Sequence, residues 1–138
     1  MHRSFTLQTT GPGLTEITPD IAAWVAVEAP AEALLTLFVR HTSASLLIQE
    51  NADPSVQTDL LAWLDRLVPP ADHPSQAFLT HRLEGADDMP AHIKSALLPT
   101  SLQSPVISGQ LALGVWQGIY LFEHRRRPHQ RELLALLR

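Results

Sequence analysis

Three histidines of this chain stand in polar, small-residue or acidic surroundings, at His41-Thr42-Ser43-Ala44-Ser45, His81-Arg82-Leu83-Glu84-Gly85 and Ala91-His92-Ile93-Lys94. Imidazole is the commonest metal ligand, and its unperturbed pKa of about 6.5 also suits proton transfer near neutrality. Three neutral imidazoles facing one cleft with a fourth position open are the layout of a catalytic zinc site, so His41, His81 and His92 are candidate ligands for Zn²⁺ or a similar divalent ion. The chain has no cysteine. Any metal must therefore be held by nitrogen and oxygen, and a disulfide framework and a thiolate nucleophile are excluded. Glu84, three residues after His81, is a candidate fourth ligand, partner of a ligand, or general base. His2, His73 and His129 read as ordinary solvated or hydrogen-bonded residues.

Other side chains offer oxygen or positive charge. Asp53-Pro54 has the form of a helix N-cap followed by proline, which explains Asp53 structurally, whereas Glu50-Asn51 lies outside that helix and has oxygens suited to Mg²⁺. Asp87-Asp88 fit the electropositive start of a following helix. The small side chains of Thr42-Ser43-Ala44-Ser45 let backbone N–H groups approach a phosphate, but no Gly-x-Ser-x-Gly elbow surrounds these serines. Arg125-Arg126-Arg127, directly after Glu123-His124, has the forked donors of a phosphate or diphosphate clamp.

The elements that must carry these groups follow from periodicity. Phe5 and Leu7 alternate with polar neighbours as in a half-buried strand, ending at Gly11-Pro12-Gly13. Thr18-Pro19-Asp20 predicts a short helix capped by Thr18, with Ile21, Trp24 and Val25 on one face. Ala33 to Arg40 is an apolar run of strand length that delivers His41, and Leu46-Leu47-Ile48 is a further strand. Val56, Leu60, Leu61, Trp63, Leu64 and Leu67 recur at helical spacing until Pro69-Pro70. After a Pro- and Asp-rich loop, a short segment at Ala77-Phe78-Leu79-Thr80 leads to His81. Pro90 is placed to start a helix through Leu98, with His92 in its first turn and Pro99 at its end. Val106-Ile107, a turn at Ser108-Gly109, and a long strand from Leu111 to Glu123 make a hairpin, in which Gly114 and Gly118 mark a bulge or a close approach. The tail from Arg131 to Arg138 fits a helix or a closing strand.

The 138 residues fit one domain, taken as residues 1–138. A net charge of −4 argues against nucleic acid as partner, since phosphate neutralisation needs clustered Lys and Arg. No apolar run approaches the ~20 residues of a membrane span, and the N-terminal residues lack a signal-peptide pattern, so a cytoplasmic protein without a membrane partner is expected.

Nearly the whole chain resembles the YjbQ-like family, whose members are assigned as secondary thiamine-phosphate synthases. The resemblance rests on His41-Thr42-Ser43-Ala44-Ser45, Glu50-Asn51-Ala52-Asp53-Pro54, Asp59-Leu60, His81, Glu84-Gly85 with Asp87, Ala91-His92-Ile93-Lys94, and the run from Gly109 to Tyr120. Asp88 departs from it, standing where Asn is common, as do Pro99-Thr100 and the tail at Pro128-His129-Gln130. The resemblance implies an α+β domain of mostly antiparallel sheets packed as a sandwich, with two to three helices. It also implies a homotrimer with a metal-compatible cluster at His41, His81 and His92. The activity it implies joins a hydroxymethylpyrimidine diphosphate to a thiazole phosphate. Glu84, Glu50 and Asp53 would then serve catalysis, with Mg²⁺ on the diphosphate, and Ser43, Asn51, Lys94, Arg125 and Arg127 would contact the phosphorylated substrates. Two other functions fit the same residues: a metal-dependent hydrolase using a His-bound water with Glu84 as base, and a noncatalytic metal- or small-ligand-binding trimer.

Overall fold

From Glu32 to Val39 every second side chain from Leu35 onward is buried, which makes this segment a strand with one face on the core. The computed structural model describes residues Met1–Arg138. Its elements are strands β1 (His2–Gln8), β2 (Gly13–Glu16), helix α1 (Thr18–Glu28), β3 (Glu32–Val39), β4 (Ala44–Glu50), α2 (Pro54–Leu67), α3 (Asp88–Leu97), β5 (Ser101–Ile107), β6 (Gln110–Leu111), β7 (Gln117–Glu123) and β8 (Gln130–Leu137). They form a five-stranded sheet in the order β1-β8-β3-β5-β6 and a three-stranded sheet in the order β2-β7-β4. Every pairing is antiparallel.

One apolar core joins the two sheets. Leu35, Leu37 and Val39 of β3 and Leu133, Ala135 and Leu137 of β8 meet Ala44, Leu46, Ile119 and Leu121 of the smaller sheet, with Ile21, Trp24 and Val25 of α1 completing the cluster. The α+β sandwich with three helices is therefore observed as expected. Helix α2 is started by Asp53, whose carboxylate accepts from Ser55 N–H at 2.9 Å, with Pro54 in the first turn. The tail is a strand, β8, because alternate side chains from Arg131 to Leu137 are buried.

Several local expectations are corrected. Thr18 is not a cap: α1 has no side-chain cap, and the Thr18 hydroxyl instead donates to Glu16 and accepts from Ile119 N–H at 2.8 Å. Gly13–Glu16 forms β2, which is too short for alternation to reveal it and is held by pairing with β7. Ala77 to Thr80 is loop, with Phe78 exposed. Helix α3 begins two residues before Pro90, so His92 lies beyond its first turn.

The long strand from Leu111 is also divided. Ser108 and Gly109 both take the left-handed backbone (φ 53° and 71°) of a two-residue hairpin turn. β6 then pairs with β5 in one sheet, whereas β7 pairs with β4 and β2 in the other. The intervening residues cross between layers. Gly118 does mark a close approach: a Cβ there would meet Glu16 Oε1 at 2.8 Å, the Tyr120 ring at 3.0 Å and Asn51 Cβ at 3.2 Å.

Candidate functional site

Helical spacing places Asp88 and His92 on one face of α3, four residues apart. Asp88 is only 1% exposed, and a buried carboxylate demands partners. It has three. His81 Nε2 lies 2.7 Å from Asp88 Oδ2, His92 Nε2 lies 3.4 Å from Oδ1, and Arg125 Nη1 donates to Oδ1 at 2.7 Å. The two imidazoles meet edge to face with centroids 5.5 Å apart. One ligand atom from each of His81, Asp88 and His92 falls within 4.8 Å of the others, so this group can hold a metal ion.

His81 arrives on a loop, and Arg82 fixes that loop. Its guanidinium donates to the carbonyls of Leu79 (2.7 Å), Gln76 (2.8 Å) and Ala71 (3.0 Å). On the other side, His92 Nδ1 lies 3.1 Å from Thr42 O. A carbonyl only accepts, so Nδ1 carries a proton and the neutral ring turns the lone pair of Nε2 toward Asp88. Two acceptors face each other across that 3.4 Å unless a proton or a cation lies between them. A ligand imidazole whose second nitrogen donates to a backbone carbonyl is the usual support of a metal-binding histidine. The donor set of two imidazole nitrogens and one carboxylate thus fits a divalent ion with positions left for water or substrate.

The remaining candidates are distributed differently. His41, at the end of β3, is outside the group: its Nε2 accepts from Glu132 N–H at 2.8 Å, so the lone pair of the neutral ring already serves the backbone. Burial, and then the charge of Arg131, lower its pKa. Glu84 is also outside the group, with a side chain 69% exposed and an oxygen 3.8 Å from Arg125. Arg125 does not present a free fork, since Nε donates to Asp87 (3.0 Å), Nη1 to Asp88 and Nη2 to Glu84 O (3.1 Å). Arg127 is exposed and, with Arg125 and Glu84, lines a cleft of about 430 Å³.

Ser43 is buried and accepts from Arg131 at 2.9 Å, and Lys94 pairs with Asp65 at 2.6 Å. Glu50, Asn51 and Asp53 cluster at the other end of β4. Glu50 accepts from Asp53 N–H at 3.2 Å, and Asn51 donates to Gln117 O at 3.3 Å. The six-residue rise of β4 separates them from the Thr42 end by roughly 20 Å. Within one chain the candidates therefore form two groups, at opposite ends of that strand.

A buried network went unread in the sequence. Glu123 accepts from Thr9 Oγ at 2.6 Å, from Arg131 Nε at 2.8 Å, and from the N–H groups of His124 and Arg125. Burial alone would raise its pKa, yet these donors hold it below the usual carboxylate range. The network's signal in the sequence is Arg131, a charge on the inward phase of β8. His124 is likewise buried and neutral, because burial and then Lys94 push its pKa down to about 3.

A family model described as "UPF0047 protein YjbQ-like" matches residues 3–137. A UPF0047 protein of Synechocystis sp. is 50% identical over 129 residues, covering 94% of this chain and 85% of that protein. UPF0047 protein YjbQ of Salmonella typhimurium is 43% identical over 99% of this chain and 96% of its own length. Among solved structures, an uncharacterised conserved protein of Clostridium acetobutylicum superposes with a TM-score of 0.85 at 31% identity, covering 99% of both chains. A conserved hypothetical protein of Thermus thermophilus gives 0.83 at 33% identity, again over 99% of both.

Proposed function

The chain belongs to the UPF0047 YjbQ-like family, and we propose that it is a secondary thiamine-phosphate-synthase-like enzyme whose centre is His81, Asp88 and His92. The observation that carries this reading is the convergence of those three ligand atoms within 4.8 Å, beside the cleft that Arg125 and Arg127 line. In the reaction the methylene carbon of hydroxymethylpyrimidine diphosphate loses its C–O bond, and diphosphate leaves with the electron pair. The thiazole nitrogen of thiazole phosphate forms the new C–N bond and becomes a thiazolium, so no proton need be removed.

Each residue has a task in that scheme. Arg127, exposed at the cleft, meets the negative charge that grows on the departing diphosphate. Arg125 acts through Asp88, holding its carboxylate in line with both imidazoles. His92 is oriented by Thr42 O, and His41 positions that turn through Glu132 N–H. A divalent ion bound at the group, Zn²⁺ or one like it, supplies a Lewis acid, and Mg²⁺ suits the diphosphate itself.

Assembly as a homotrimer belongs to the same proposal. Val115 and Trp116 are exposed, with Trp116 O accepting from Asn51 N–H at 3.0 Å, whereas Phe78 and Leu83 are exposed on either side of His81 in the chain. Contact between copies at those patches would bring the Glu50, Asn51 and Asp53 group of one subunit toward the histidines of its neighbour. With no cysteine to oxidise, the cytoplasm suits the chain.

The test is thiamine phosphate formation from the two substrates with Mg²⁺, in the parent and in His92→Ala, with folding checked by circular dichroism. Product from the parent and none from a folded His92→Ala supports the reading. Hydrolysis of phosphate esters without condensation would replace it with the metal-dependent hydrolase. Metal uptake with neither reaction would leave a binding protein.

A further inference from the structure

A second polar site lies behind Asp87, on the side of α3 facing α2. Its cavity of about 160 Å³ is lined by Asp65, Asp87, Lys94, His124 and Arg126, among others. At about 30 Å³ per water this is room for roughly five water molecules, enough for one phosphate group and too small for a drug-sized ligand.

Hydrogen-bond accounting decides what fits there. The Lys94 side chain is 12% exposed, and its one partner is Asp65, so two of its three N–H donors have no protein acceptor. The Arg126 guanidinium makes no hydrogen bond, although its backbone N–H donates to Asp87 at 2.8 Å. His124 is 5% exposed. Its Nε2 lies 2.8 Å from Ser45 Oγ, and its Nδ1 has no partner. That Nδ1 is sealed from solvent, so the ring closes the wall of the cavity and does not reach into it. One oxygen of each nearby carboxylate is engaged: Asp87 Oδ2 takes Arg125 Nε and Arg126 N–H, and Asp65 Oδ1 takes Lys94. Most of what remains unmet is donors: two on Lys94 and those of the Arg126 guanidinium.

We propose that this cavity binds an oxyanion of the phosphate class through Lys94 and Arg126, with the His124 ring forming part of its wall. Asp65 and Asp87 also line the cavity, but each already accepts from a neighbouring cation or N–H, whereas a phosphate group meets the donors that the protein leaves unanswered. The site is separate from the His81, Asp88 and His92 group, and it takes in Lys94, which the family resemblance would place on a phosphorylated substrate.

Isothermal titration of metal-free protein with inorganic phosphate, and separately with phenyl phosphate, tests it. Saturable binding of one phosphate per chain is expected. Lys94→Gln should weaken it by about tenfold or more, the scale of one charge-assisted hydrogen bond, whereas His81→Ala should leave it unchanged. Should Lys94→Gln fail to fold, Arg126→Ala, at an exposed side chain, carries the same expectation. Equal binding of phenyl phosphate identifies an organic phosphate as an admissible source, and binding of inorganic phosphate alone identifies the free ion. No saturable binding, or binding lost in His81→Ala and retained in Lys94→Gln, overturns the proposal.

Discussion

Arg125 Nη1 donates to Asp88 Oδ1 at 2.7 Å, tying the residues that follow β7 to the first turn of α3. Asp88 is thereby given a charged partner in a buried position and aimed at both imidazoles. Removing one partner of a buried pair leaves an uncompensated charge, so Arg125→Met should destabilise the fold by about 2–4 kcal/mol. Arg125→Lys should recover only part of that, because an ammonium cannot span Asp87, Asp88 and Glu84 O as a fork does. Urea unfolding of the three proteins decides it, and equal stability of parent and Arg125→Met would remove the pair from any structural role.

Metal content should follow the geometry of α3. Protein reconstituted with Zn²⁺ is expected to hold about one ion per chain, lost in His81→Ala, in Asp88→Ala and in His92→Ala. His41→Ala should retain the ion while losing about 1–2 kcal/mol, since Glu132 N–H loses its acceptor. Elemental analysis beside thermal unfolding separates the two effects. Loss of metal in His41→Ala with retention in His92→Ala would reverse the assignment.

His124 gives stability a pH dependence with a defined sign. Burial, then the charge of Lys94, lowers its pKa to about 3 in the folded protein, against about 6.5 in the unfolded chain. The unfolded state therefore binds the extra proton between those values, and its contribution to stability is full above pH 6.5 and declines as pH falls toward 3. The slope is about 1.4 kcal/mol per pH unit for one such group. Urea unfolding at pH 7, 6 and 5 should show a steeper decline in the parent than in His124→Phe. Parallel curves would mean that the ring is hydrated and titrates normally.

Gly118→Ala should cost about 1–3 kcal/mol through overpacking. The added methyl meets the Tyr120 ring and Asn51 Cβ, and only Glu16 Oε1 can swing aside cheaply. Because Glu16 is the flexible neighbour, Glu16→Ala combined with Gly118→Ala should recover part of the loss in thermal unfolding. A neutral Gly118→Ala would show that β7 and β4 can separate by several tenths of an ångström there.

Local pattern determined much of this protein. Alternation marks β1, an apolar run of strand length marks β3, the three- and four-residue period with Asp53-Pro54 marks α2, and the pair Ser108-Gly109 marks the hairpin turn, because each depends on neighbours in the chain, whereas the tail fits helix or strand until its pairing with β1 and β3 decides it. The spacing of Asp88 and His92 likewise lay in the sequence, although Asp88 was read there as a charge favouring a helix start. Tertiary structure decided the rest. Residues 111–123 could not reveal that their two ends pair in different sheets, since both ends are apolar. His81 joins the site through the three carbonyls that Arg82 clamps. Arg125 reaches an aspartate 37 residues away, and His41 is drawn off by a backbone N–H 91 residues distant. Those partners are chosen by where strands β7 and β8 lie in space, and a buried charge or lone pair takes whichever donor the packing brings within reach.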